Sequence, residues 1–225
     1  MTKISTENNF SYLFFALLTL LFSTALLGVL HQEWIKVILD ITIFGVFVVG
    51  TYSVKTERSW LWAVAVMSTM LVLFSLLHQF ISGTIATAVH LLIILLFFIG
   101  SFLLSYKQIL LVRDINRNIM IGSLVLYLLL GLIWTIIYLL ILLVFPDAFN
   151  GLEPLSWQEN FSRVAYYSFV TLTTLGYGDI SPKNSIAEFF VYLQTIAGLF
   201  YMAIIVSSLV SSRLAKLQKE HLSDD

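Results

Sequence analysis

An uncharged apolar run extends from Phe10 to Leu30, and five more long apolar runs follow it along the chain. About 20 such residues cross the hydrocarbon layer as a helix, at ~1.5 Å per residue. Inside lipid every backbone N–H and C=O must find a partner within the protein, so runs of this length read as helices. The remaining runs are Trp34 to Val54, with Lys36 and Asp40 near its start, Ser59 to Leu77, a span within Gly83 to Tyr106, Ile119 to Phe145 and Ile186 to Ser212. The expected fold is therefore an all-α membrane protein of six transmembrane helices. Charged residues make up only 11 % of the chain, and the spans use up nearly all of its length. No stretch remains for a soluble regulatory domain of ordinary size.

Other classes fall away quickly. There is no cysteine, and no basic block suggests nucleic acid. No nucleophile–base pair, metal cluster or phosphate loop points to an enzyme. Lys3 precedes the first run, which is longer than a signal-peptide core and lacks a clear cleavage site, so it is expected to be retained. Basic residues set the orientation. With the N-terminus inside, Lys3, Lys55, Arg58, Lys107, Arg113, Arg117, Arg213, Lys216 and Lys219 are cytoplasmic, and only Lys36, Arg163 and Lys183 lie outside. Both termini are then cytoplasmic, in a plasma or inner membrane.

The segment between the fifth and sixth runs differs from the rest. It holds all three prolines: Pro146 ends the fifth helix, Pro154 sits in a polar outer loop, and Pro182 closes the segment. Ser156 can cap a short helix that starts at Trp157, has Glu159 in its first turn and ends near Leu172. That helix is too short to cross a bilayer and long enough to dip into it. Next comes Thr173-Thr174-Leu175-Gly176-Tyr177-Gly178-Asp179. Gly176 and Gly178 admit dihedrals that keep successive carbonyls on one side, and Thr174 adds a hydroxyl oxygen. A ring of such oxygens can replace the hydration shell of a bare cation. One copy cannot surround an ion, but four copies about an axis can, so a homotetramer is expected.

This span–helix–filter–span unit resembles the pore module of tetrameric potassium channels. The resemblance covers about Ile119 to Ser212. It implies that K+ is the permeant ion, held by the carbonyls of Thr174, Leu175, Gly176 and Tyr177 with the Thr174 hydroxyl at the inner end, and that no organic cofactor is needed. Gly178 completes the filter, and Thr173, Asp179, Tyr166 and Tyr167 support it. Tyr166 and Tyr167 fall where many members carry two tryptophans. Either could pack against Tyr177, and Tyr166 is the expected partner of Asp179. Leu175 replaces the commoner valine. Val170 stands where some members have a glutamate, so the slow filter inactivation of those members does not carry over. Gly198 lies where the family often bends its inner helix; close packing on the pore helix is the other reading. Val206 and Val210, four apart, are a candidate hydrophobic gate, or they face lipid.

The chain divides accordingly into a four-helix domain (1–105), a cytoplasmic linker (106–118), the pore domain (119–212) and a short tail (213–225). The first domain resembles a voltage sensor in plan only. Gating charges contribute about 2.3 kcal/mol each per 100 mV, and the fourth run has no arginine or lysine before Lys107. Steep voltage gating is not expected. Lys36 and Asp40 are spaced to pair on one helix face. The linker, with Lys107, Arg113 and Arg117, either couples the halves or lies on anionic lipid. His31, His78 and His90 are candidate external pH sensors or structural interfacial residues, and their spacing does not support a haem pair. Trp34, Trp60 and Trp62 are expected interface anchors. Glu33, Asp147, Glu153, Glu159, Asp179 and Glu188 gather outside, where they either concentrate cations or are simply solvated. A weakly selective cation channel, a potassium transporter subunit and a non-conducting assembly partner are the competing functions. An intact single Gly-Tyr-Gly argues against the first two.

Overall fold

The computed structural model describes residues 9–27, 32–53, 62, 64–70, 83–111, 117–207 and 210. Its helices are α1 (Asn9–Leu27), α2 (Gln32–Ser53), α3 (Thr84–Leu111), α4 (Arg117–Val144), α5 (Trp157–Leu172) and α6 (Ser185–Phe200), and a π-helical turn at Tyr201–Val206 continues α6. Residues 64–70 are also helical. By length and composition, Thr84–Ile109, Arg117–Val144 and Ser185–Ala203 can each cross a membrane. α1 and α2 contain shorter apolar stretches, Phe10–Leu26 and Ile38–Gly50.

Side-chain contacts give the helix directions. Phe10 N donates to Asn118 Oδ1 at 3.2 Å, so α1 and α4 begin at the same end. Phe10 and Ile109 both crowd Gly122, which puts the end of α3 there too. Gly50, late in α2, lies against Leu13, early in α1, and Ser23 meets Thr42, so α1 and α2 are antiparallel. At the opposite end His90, early in α3, packs on Trp157 at the start of α5 with ring centroids 5.2 Å apart. Hence α2 ends where α1 began, and α3 begins at the far end.

The packing seams are helical in period. α1 buries Leu13, Leu17 and Leu20, spaced to share one face. They meet Ile43 and Phe47 of α2, and Phe47 stacks on Phe97 of α3 at 3.6 Å. The outer faces carry Tyr12, Phe15, Phe22 and Leu96 exposed, as lipid-facing surfaces do. Lipid tails are as apolar as leucine, so close packing and buried hydrogen bonds, more than water expulsion, hold such helices together. α1 touches both α4 and α5, and α2 touches α5, so the N-terminal helices of the same chain lie against this short helix.

α3 runs to Leu111, past the expected end near Tyr106. No glycine, proline or cap interrupts Lys107-Gln108-Ile109-Leu110-Leu111, all serviceable helix formers. The first part of the expected linker is thus a continuation of α3. The fifth run, expected from Ile119 to Phe145, is α4. The described α-helix of the sixth ends at Phe200, where the π turn begins.

α5 occupies the bounds that its cap implies. Ser156 is the N-cap: its hydroxyl accepts from Glu159 N, and the Glu159 carboxylate accepts from Ser156 N at 2.9 Å. This reciprocal box satisfies donors that the first turn leaves bare. Ser156→Ala is expected to lower the unfolding free energy by about 1 kcal/mol. A lower midpoint on denaturant titration in detergent micelles checks this, and Ser156→Thr should remain near the parent.

Candidate functional site

The segment after α5 is held from behind. Thr173 N donates to Phe169 O at 3.0 Å and Thr174 N to Thr171 O at 3.0 Å. Val170 O accepts both Leu175 N at 3.0 Å and Gly176 N at 3.4 Å. The end of α5 thus takes up the amides of residues 173–176. Its own carbonyls, the negative end of the helix dipole, are turned toward the base of that segment.

Dihedrals explain what remains in front. Thr174, Gly176 and Gly178 have φ of 60°, 57° and 79°, while Leu175 and Tyr177 between them stay at negative φ. An ordinary strand alternates its carbonyls between two sides. Positive φ at every second residue brings successive carbonyls to one side. Among the described residues, no carbonyl of Thr174, Leu175, Gly176 or Tyr177 accepts a hydrogen bond. Glycine takes such φ at no steric cost, but a β-branched threonine does not, so Thr174 stores strain of order 1–3 kcal/mol. Leu175 and Tyr177 leave 55 % and 66 % of their surface bare in the single chain.

The far end of the segment is pinned too. Phe149–Asn150 (β1) and Ser181–Pro182 (β2) pair antiparallel, Phe149 with Pro182 and Asn150 with Ser181. Lys183 N adds a bond to Ala148 O at 2.7 Å. Gly151 lies so close to Asp179 that an added Cβ would stand 2.1 Å from Asp179 O. Arg163, from α5, donates to Gly151 O at 3.0 Å.

The two tyrosines part company. Tyr166 stacks on Tyr177 with centroids 6.4 Å apart and planes 8° from parallel. Desolvation, and then the neighbouring Asp179 carboxylate, hold its pKa above the ordinary phenol value, so its hydroxyl keeps its proton. Tyr167 instead is buried against Tyr138 and Phe149, at 5.3 and 5.4 Å.

Behind the segment, three helices share a buried polar chain. Tyr138 (α4) donates to Gln194 Oε1, and Gln194 Nε2 (α6) donates to Ser168 O at 2.8 Å and to Ser168 Oγ at 2.9 Å. Ser168 Oγ (α5) then donates to Gly131 O (α4) at 2.7 Å. Below it, Tyr201 donates to Ser123 O and tilts over Tyr127. Gly198 meets the end of α5: a Cβ there would stand 2.4 Å from Leu172 O. Of the two uses expected of Gly198, the structure displays close approach. α6 stays α-helical through Phe200, and the departure comes at the π turn from Tyr201.

Other expected residues are spread elsewhere. His90 is buried on Trp157, away from the filter; His31 and His78 lie outside the described residues. Val210 is exposed, and the side chains of Val206, Lys36, Glu33 and Trp34 lie outside the described residues, as does Trp60. Trp62 is exposed. Of the acidic residues, Glu159 serves the α5 cap, and Glu188 lies in the first turn of α6. The sequence reading passed over Gln194, Tyr138 and Ser168, and used Arg163 only for the orientation. Gln194 had a signal: an amide within an apolar run needs buried partners.

Residues 122–212 match the model of a family described as ion channel. No curated protein and no solved structure matches the chain. The matched stretch contains α4, the capped half-length helix, the positive-φ segment and α6. An ion channel domain in a membrane protein, rather than an enzyme, is what this match supports.

The packing at Gly198 makes a contrast with Gly45, whose Cβ position in α2 is open. Gly198→Ala is expected to cost about 1–3 kcal/mol, because a backbone oxygen cannot rotate away. Gly45→Ala is expected to be neutral or to stabilise by up to about 1 kcal/mol. Melting temperatures of the two purified variants check the opposite signs.

Proposed function

We propose that the protein is a homotetrameric, potassium-selective channel that conducts K+ passively across a plasma or inner membrane. The observation that carries this reading is the alternation of positive φ at Thr174, Gly176 and Gly178, with the amides tied back and the carbonyls unpaired. Four such segments about an axis would offer rings of carbonyl oxygens from Thr174, Leu175, Gly176 and Tyr177 to a dehydrated K+. The exposed filter and the bare Phe189, Tyr192, Ile196 and Phe200 of α6 favour symmetric assembly, because a lone copy leaves this surface uncovered. Gly178 completes the filter, and Tyr166, Tyr167, Thr173 and Asp179 support it, Tyr166 directly and Tyr167 through the aromatic cluster.

The helix directions support six crossings. α2 ends and α3 begins at opposite ends of the bundle, and residues 64–70 between them are helical. With basic residues concentrated on the side where α1 and α4 begin, both termini are cytoplasmic and the filter opens outward. From Thr84 to Tyr106 α3 carries no arginine or lysine, so steep voltage gating is not expected. Lipid contacts the outer faces, and Val206 with Val210 remains the candidate gate below the cavity.

The test is the reversal potential of the protein in liposomes, with a potassium gradient opposed by sodium. A value near the potassium equilibrium potential, lost in Tyr177→Ala and in Gly176→Asp, is the expected result. A parent value near zero would overturn potassium selectivity and favour a non-selective cation pore.

A further inference from the structure

α6 meets the rest of the chain along a narrow seam. Its buried residues are Ala187, Gln194 and Gly198, and Tyr201 follows at the C-cap. Two of these touch the last turn of α5: Gln194 grips the carbonyl and hydroxyl of Ser168, and Gly198 lies on the carbonyl of Leu172. That same turn supplies Phe169 O, Val170 O and Thr171 O, the acceptors from which the filter amides hang. Any rotation or sinking of the end of α5 would move those acceptors and the filter with them.

Gln194 is the only one of these contacts with directional bonds on both sides. Its amide accepts from Tyr138 of α4 and donates twice to Ser168 of α5. All three side chains are fully buried. In a membrane interior no water can replace a lost partner, so the arrangement resists displacement. The Ser168 hydroxyl passes the constraint on to Gly131 O, which also accepts from Thr135 Oγ1 at 2.8 Å. Tolerances of about 0.5 Å separate a working site from a loose one, and a carbonyl ring that must match a bare ion falls under that rule.

We propose that Gln194 is a positioning residue for selectivity: through Ser168 it locks the end of the pore helix to the inner and outer helices and thereby sets the filter geometry. The proposal rests on the potassium-filter reading of residues 174–178. It differs from a role in folding alone, since the filter backbone never touches Gln194.

The experiment measures the sodium-to-potassium permeability ratio of reconstituted tetramers for the parent and four variants. Gln194→Met keeps the length and removes every hydrogen bond. Tyr138→Phe and Ser168→Ala each remove one hydroxyl and are milder. Thr195→Val is the control, because its hydroxyl bonds only Val191 O of its own helix, at 2.9 Å. The expected result is a parent that is potassium-selective and a permeability ratio raised by roughly tenfold in Gln194→Met, equivalent to about 1.4 kcal/mol. Smaller rises are expected in Tyr138→Phe and Ser168→Ala, and none in Thr195→Val. Gln194→Glu, whose neutral acid is favoured by burial and keeps one donor and one acceptor, is expected to restore part of the selectivity. Assembled variants with the parent ratio would overturn the proposal. So would failure of all three network variants to assemble, which would assign the network to folding. A non-selective parent would instead overturn the filter reading itself.

Discussion

A glutamine side chain has an acceptor and two donors, and hydrocarbon satisfies none of them. Gln194 resolves this by taking a phenol from α4 and giving both of its N–H groups to one serine of α5. Three helices meet there, and the geometry elsewhere in the pore region follows from that junction. Gly131 is bare because the Phe169 ring lies over it; an added Cβ would stand 2.4 Å from the ring. Tyr167 turns inward because Tyr138, fixed by Gln194, and Phe149 form an aromatic slot beside it. Tyr166, one residue earlier, is then left on a different face of α5, where it stacks on Tyr177. One buried amide thus sorts two adjacent tyrosines into different jobs.

Strain at Thr174 is tolerable only in this setting. Its φ of 60° would relax if either neighbour could move. On one side, Thr174 N and Leu175 N are held by α5 carbonyls. On the other, the short β pair and the contact of Gly151 with Asp179 hold the exit. Both anchors are built from the two ends of α5: Arg163 reaches the loop from its outer half, and Val170 holds the filter from its last turn. A short helix with both ends committed is a rigid mount. The capping box at Ser156 contributes by keeping its first turn from fraying.

Much of this mount is legible in the residues. Ser156 with Glu159 marks the start of α5, and the prolines mark where spans stop, because capping and φ restriction are local effects. The reach of α3 to Leu111 was not legible, since apolar length says where lipid ends and not where hydrogen bonding does. The positive φ of Thr174 was hidden for a related reason. Glycine advertises φ freedom, whereas threonine adopts it only when tertiary contacts impose it. The division of labour between Tyr166 and Tyr167 follows from which face of α5 meets α4, a fact that two identical neighbours cannot announce. Gln194 was visible as a polar residue in an apolar run, but its partners lie 26 and 56 residues away.

The N-terminal helices are not remote from α5. α1 and α2 lie against α5 itself, and His90 of α3 covers Trp157 at its first turn. A displacement of these helices would therefore bear on α5 directly, without first moving α6. The π turn at Tyr201–Val206 points the same way. Above it, α6 is tied to α5 by Gln194 and Gly198; at its start, Tyr201 is tied to α4 through Ser123. Below Tyr201 the described residues show no such tie. π turns break the regular ladder and absorb changes of helix register. The π turn begins at Tyr201, the residue that ties α6 to α4 through Ser123. In such a chain, forces on the N-terminal helices reach residues 173–176 through α5, whose carbonyls hold their amides.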